Sequence, residues 1–165
     1  MTFMRIAIRK IWSVGGWAPV LVFSIHLFLS RVLHAYDNWP PSDIPMHFAG
    51  GVAIAFFISK CFQTLPREGS KRSRVVVLEL ILVGSLAATA AVFWEFTEFS
   101  VDQIFGTNIQ RSLANTMQDM ALGISGAAVY ILLRARQLRA GTGEIAEVTL
   151  DWLGVGRLQP NDRSA

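Results

Sequence analysis

The stretch VVVLELILVGSLAATAAVFWEFTEF, residues 75–99, decides the fold. Before Glu95 it carries a single charge, Glu79. About 20 apolar residues, rising 1.5 Å each in a helix, cross the roughly 30 Å hydrocarbon core of a bilayer. A membrane β-strand would alternate apolar and polar positions over about ten residues, and this run does not alternate. Working outward, three further runs have the same character, over about residues 17–36, 44–62 and 116–133. The chain therefore reads as all-α, an integral membrane bundle of four transmembrane helices within residues 17–137. A basic amphipathic segment, 1–16, precedes it, and a tail, 138–165, follows.

Composition agrees. Of 165 residues, 52% are hydrophobic and only 16% charged, against about 25% charged in a soluble domain. That deficit excludes an ordinary soluble enzyme and makes the lipid bilayer the first partner. The net charge of +3 does not point to nucleic acid, because the basic residues flank apolar runs instead of forming a face with interleaved aromatics. The single cysteine, Cys61, excludes an intramolecular disulfide and a Cys-rich metal site.

Lys and Arg set the orientation. They gather at Arg5, Arg9 and Lys10, at Arg67, Lys71, Arg72 and Arg74 between the second and third spans, and at Arg134, Arg136 and Arg139 after the fourth. The connections between spans 1 and 2 and between spans 3 and 4 are nearly free of them, with Arg111 the exception. An even number of spans puts all three basic regions on one side. Both termini are then cytoplasmic, as in a multi-pass protein of the inner (plasma) membrane. The length of the first run, together with His26 and Arg31 within it, speaks against a cleaved signal peptide.

Both ends carry amphipathic patterns. Met4, Ile8, Ile11 and Trp12 share a helical face beside Arg5 and Arg9, which suits the membrane interface. Ile145, Val148 and Trp152 repeat at helical spacing beside Glu144, Glu147 and Asp151. Small residues in spans 2 to 4, among them Gly51, Gly84, Gly123 and Gly126, let helices approach closely. Trp12, Trp17, Trp39 and Trp94 fall near the interfaces, as an aromatic belt does.

Charges within a span are costly and mark function. Glu95 lies twenty residues beyond the cytoplasmic start of span 3, about 30 Å along the axis. His47 falls in the first outer turn of span 2, and Asp119 in that of span 4. Three helices thus bring His47, Glu95, Glu98 and Asp119 to one depth, with Asp43, Asp102, Arg111 and Asn115 nearby. Glu95, Glu98 and Asp102 follow i, i+3, i+7 and share a face. Crowded carboxylates in a low dielectric need protons, countercharges or a cation. His47 and Arg111 supply some countercharge, and one divalent metal ion held by Glu95, Glu98, Asp119 and His47 would supply the rest. A hydrogen-bonded structural cluster and a proton or ion path are the competing readings. His26 reads as a neutral histidine bonded across helices, His34 as a marginal member of the cluster, and Glu79 as an interfacial charge. The chain has no Gly-rich phosphate loop, no Gly-x-Ser-x-Gly elbow and no His-Glu-x-x-His.

Asp43-Ile-Pro-Met-His47-Phe resembles the Asp-x-x-x-His-Phe segment of small YjdF-like and VanZ-like membrane proteins. Trp94-Glu-Phe-Thr-Glu98 resembles their acidic helix. Asp102-Gln-Ile-Phe-Gly106-Thr-Asn, Asn115-Thr-Met-Gln-Asp119 and Gly123-Ile-Ser-Gly126 resemble the loop and final helix of the YjdF-like group. That helix often opens Asp-Thr-x-x-Asp, and here its first position is Asn115. The resemblance implies an inner-membrane protein and supports the positions of the site, without supplying a reaction.

The expected function is that of a polytopic inner-membrane protein of this type. Its outward polar pocket, with His47, Glu95, Glu98 and Asp119 as the reactive groups, would bind an envelope or lipid-linked ligand. A metal-dependent hydrolase or transferase acting on a lipid-linked substrate is the first alternative, and a small transporter the second. A homo-oligomer is compatible with all three.

Overall fold

The computed structural model describes residues 2–64 and 72–142, with side chains from 4 to 64 and 76 to 138. The basic connection at 65–71 and the amphipathic pattern around Ile145, Val148 and Trp152 lie outside the described residues. Six α-helices follow one another among the described residues: α1 (Thr2–Ile11), α2 (Trp17–Arg31), the short α3 (Ala35–Asn38), α4 (Asp43–Gln63), α5 (Arg72–Phe105) and α6 (Leu113–Thr142). No strand occurs among the described residues. Four stretches are long and apolar enough to cross a membrane: Met4–Arg31, Pro40–Gln63, Val76–Phe105 and Leu113–Leu138.

The first stretch joins α1 to α2 through a kink. Gly15 has φ 95°, in the left-handed region that favours glycine. A Cβ there would also meet Cε1 of Phe56 at 2.5 Å, so a larger residue at position 15 would strain the backbone and displace that ring. The basic N-terminal segment is thus continuous with the first span, and its apolar residues, Met4, Ile8, Ile11 and Trp12, are exposed. The span ends at Arg31, earlier than the apolar pattern suggests. His34 takes a left-handed conformation, φ 48°, and starts α3 instead. Trp39 is then extended, φ −145°, as the residue before a proline is. The Pro40–Ser42 turn leads into α4.

α4 is the hub. It packs against α2, α5 and α6, and α5 packs against α6. α4 and α6 run parallel, because α5 returns the chain between them, and they meet backbone to backbone. A Cβ on Gly51 would collide with the carbonyl group of Gly123, and one on Gly126 with that of Phe48. No side chain fits between the two helices at these points. The apolar core lies further along the bundle: Ala55 from α4, Val83 and Ala87 from α5, Ala127 from α6, flanked by Ile58, Tyr130 and Ile131.

Beyond that core, Glu79 is not an interfacial charge as its position one turn into the span suggests. It is 1% exposed. Ser59 donates to its Oε1 at 2.8 Å, Gln63 donates to Ser59 at 3.0 Å, and Arg134 Nε lies 3.9 Å from the same carboxylate oxygen. Three helices are tied together there by one buried polar network. The reason is packing depth: α4, α5 and α6 close around Glu79 on the side the sequence pattern leaves to solvent.

Candidate functional site

The close contact of α4 with α6 builds the opposite end of the bundle. His47 lies one turn before Gly51, and Asp119 one turn before Gly123. In parallel helices touching at these glycines, the two side chains must fall side by side. His47 Nε2 is 3.8 Å from Asp119 Oδ2 and 3.3 Å from Oδ1 of Asp43, which precedes it by one turn on α4. α5 supplies the other side of the ring, where Glu95 Oε1 lies 3.8 Å from His47 Nδ1. The imidazole therefore sits among three carboxylates drawn from three helices.

These groups are buried. Glu95 and Asp119 are each 3% exposed and Glu98 8%; the His47 side chain is 9% exposed. His47 Nε2, Glu95 Oε1 and Asp119 Oδ1 have no hydrogen-bond partner. Buried polar atoms left in this state are costly. Among the described residues, no Lys or Arg forms an ion pair with Asp43, Glu95, Glu98 or Asp119.

Other residues hold the cluster in place. Asn115 Nδ2 donates to Asp119 Oδ2 at 2.6 Å. Gln110 Nε2 donates to the Glu95 carbonyl at 2.9 Å and to its Oε2 at 3.3 Å. Trp94 Nε1 donates to Glu98 Oε1 at 2.9 Å, so Glu98 is committed to its own helix, and no ion pair joins it to His47.

Asp102 departs from the expectation that it joins this face. Its carboxylate turns to the loop between α5 and α6, accepting from Thr107 Oγ1 at 2.6 Å, Ile109 N at 2.8 Å and Gln110 N at 2.9 Å. The physical reason is axial distance. Seven residues past Glu95, about 10 Å along the helix, Asp102 stands where α5 ends and bare backbone N–H groups need an acceptor. By clamping that loop it positions Gln110, a site residue that helical spacing could not reveal. Arg111 forms no ion pair with these carboxylates, but its charge acts on Asp119 from a distance; its guanidinium donates to the carbonyl of Tyr36 and ties the loop to α3.

His34, 67% exposed beside Asp37, does not join the cluster. His26 is bonded across elements, its Nδ1 3.0 Å from the Tyr36 hydroxyl. Burial, with Asp43 and Glu98 adding to it, raises the pKa of that phenol, so Tyr36 keeps its proton at neutral pH. Trp12, Trp17 and Trp39 are exposed, whereas Trp94 meets His26 edge-on at 5.3 Å and Phe23 at 5.8 Å. It is a wall of the site as well as an aromatic near the helix end.

The donor atoms of Asp43, His47 and Asp119 lie within 4.8 Å of one another. Ligands about 2.1 Å from a shared ion lie roughly 3.0–3.4 Å apart in octahedral or tetrahedral geometry. The observed 3.3 and 3.8 Å are near those values, and two carboxylates with one imidazole suit a divalent cation. The expected metal set was His47, Glu95, Glu98 and Asp119. His47 and Asp119 are in the geometric trio, Asp43 takes the third place, Glu95 faces the other ring nitrogen, and Glu98 stands back.

No curated protein and no solved structure matches this chain. A family model does, over residues 4–140, and with it the four apolar helices acquire a family context. The chain belongs to the family described as "Predicted membrane protein (DUF2238)".

Proposed function

We propose that this chain is an inner-membrane protein, akin to the YjdF-like and VanZ-like proteins, that binds a divalent cation in a site facing away from the cytoplasm. Through that ion it would hold an envelope or lipid-linked ligand at headgroup depth. The observation that carries the reading is the His47 imidazole, nine-tenths buried between Asp43 and Asp119 with Nε2 lacking a hydrogen bond. A cation there satisfies three ligand atoms at once and offsets carboxylates that form no ion pair with a Lys or Arg among the described residues. The Lys/Arg pattern supports the orientation, since the sequence sets its basic residues before the first span, between the second and third, and after the fourth, which four spans put on one side.

The test is metal content. Full-length protein purified in detergent is titrated with Mn²⁺ and read by paramagnetic resonance, with elemental analysis after loading with Mg²⁺, Fe²⁺ or Zn²⁺. One ion per chain, lost in His47→Ala and in Asp119→Asn, is expected. Folded wild-type protein that binds none of these ions refutes the reading.

A second reading, a metal-dependent hydrolase or transferase, is favoured by one observation. Glu95 is outside the geometric trio yet leaves Oε1 unpartnered beside the site, as a general base would. Phosphate release from a lipid-linked phosphate by the metal-loaded protein, abolished in Glu95→Gln with metal retained, would establish it. Transport through one chain is disfavoured by the buried apolar layer of Ala55, Val83, Ala87 and Ala127 between this site and Glu79.

A further inference from the structure

A cavity of about 130 Å³ runs from the His47 cluster towards the middle of the bundle. Its walls are Pro19 and Val22 of α2, Gly50 and Ile54 of α4, and Ala87 and Ala90 of α5. It exists because α2 leans on α4 and its backbone stands off from α5 and α6. Across the gap the rings of Phe23 and His26 reach α5, where both meet Trp94. The small residues Gly50, Ala87 and Ala90 leave the space unfilled. Val22, Gly50, Ile54 and Ala90 are half-buried and Phe23 is exposed, so the cavity is a groove accessible from the side.

The two ends of the groove differ chemically. From His47 to Ile54 it follows α4 for seven residues, about 10 Å, between apolar walls. Such a space holds no ordered water, which needs polar partners. In a lipid-embedded chain the species at hand is hydrocarbon. At its head stand His47 and Asp119, both lining the groove and both with an atom lacking a hydrogen bond. An occupant must therefore be apolar along about 10 Å and polar at one end.

We infer that the groove takes one hydrocarbon chain of a phosphate-bearing lipid, with the phosphate at the His47 end. This rests on the cation site proposed above. Asp43, Glu95, Glu98 and Asp119 would repel a phosphate on their own; an ion held by Asp43, His47 and Asp119 turns the same place into an attractor for its oxygens. The rings of Phe23, His26 and Trp94 line the same groove and meet one another across it.

The experiment uses full-length protein in phosphatidylcholine nanodiscs doped with a phosphatidic acid carrying a diazirine in one acyl chain. After irradiation, adducts are mapped by peptide mass spectrometry with and without Mn²⁺, and Mn²⁺ binding is read separately. Adducts on the Ile54 and Ala90 peptides are expected, at least tenfold fewer without Mn²⁺ and at least tenfold fewer in Ala90→Trp, which fills the groove. Val22→Trp fills it from the other wall and serves if Ala90→Trp fails to fold. Unlabelled phosphatidic acid should compete, and diacylglycerol should not. Adducts that persist undiminished in a folded groove-filling variant, or that spread over the exposed faces of all helices, overturn the groove. Labelling that ignores Mn²⁺, or that diacylglycerol suppresses equally, overturns the phosphate assignment. Wild-type protein that binds Mn²⁺ but gives no groove adducts refutes this inference alone. Folded wild-type protein that binds none of Mn²⁺, Mg²⁺, Fe²⁺ or Zn²⁺ refutes the cation reading, whatever the labelling shows.

Discussion

Replacing Gly51 by alanine tests whether helix contact, and not side-chain chemistry alone, makes the site. A Cβ at position 51 would lie 2.7 Å from the Gly123 carbonyl carbon and 3.0 Å from its Cα. Carbon atoms settle at about 3.5–4.0 Å, so α4 and α6 must part by about 1 Å. These atoms are backbone, which no rotamer change relieves. Parting the helices by that much widens the 3.8 Å between His47 Nε2 and Asp119 Oδ2 to about 4.8 Å. Two ligands of one ion at 2.0–2.2 Å can be no more than about 4.4 Å apart. Overpacking costs about 1–3 kcal/mol, offset by the roughly 1 kcal/mol that alanine adds over glycine in a helix. We expect Gly51→Ala to lower stability by up to about 2 kcal/mol and to weaken Mn²⁺ binding at least tenfold, read by thermal unfolding in detergent and by titration. Gly50→Ala is the control. A Cβ there meets nothing within 4 Å, so stability should hold or rise and Mn²⁺ affinity should not change. If the two variants behave alike in both assays, the glycine contact does not position the site.

Asn115→Ala removes the donor to Asp119 Oδ2 without touching a member of the proposed trio. Orienting partners of this kind are worth about 10–100-fold in metal affinity, so Mn²⁺ binding should weaken by about tenfold or more while the unfolding midpoint moves little. At the other end of the bundle, Glu79→Ala strips the buried network from Ser59 and leaves the Arg134 guanidinium without that carboxylate. Removing one partner of a buried pair costs about 3–5 kcal/mol. The double variant Glu79→Leu/Arg134→Leu should recover much of that loss, as denaturant titration of both proteins would show.

How much of this arrangement was legible depended on where each residue sits along a helix. Depth follows from counting residues at 1.5 Å each, and counting put His47, Glu95 and Asp119 in one layer because all three lie within continuous helices. The same arithmetic reached Asp43 as a neighbour, and its place one turn before His47 was enough to bring it to the ring. Counting failed for Asp102 because a shared face is not a shared depth. Seven residues move a side chain about 10 Å along the axis, and there a loop offered three donors to a carboxylate. It failed for Gln110 because a loop has no period. It could have found the Glu79 network, since Glu79 lies near the start of span 3 and Arg134 near the end of span 4, and so at similar depth. The sequence reading sets Glu79 at the interface and Arg134 among the orienting basic residues, without pairing them. In a bundle whose lipid-facing sides offer no hydrogen bonds, polar residues at equal depth have only one another. Matching depths across all helices before assigning any charge to an interface would therefore have recovered both polar ends. Only the loop that carries Gln110 and the separation of α2 from α5 needed three dimensions.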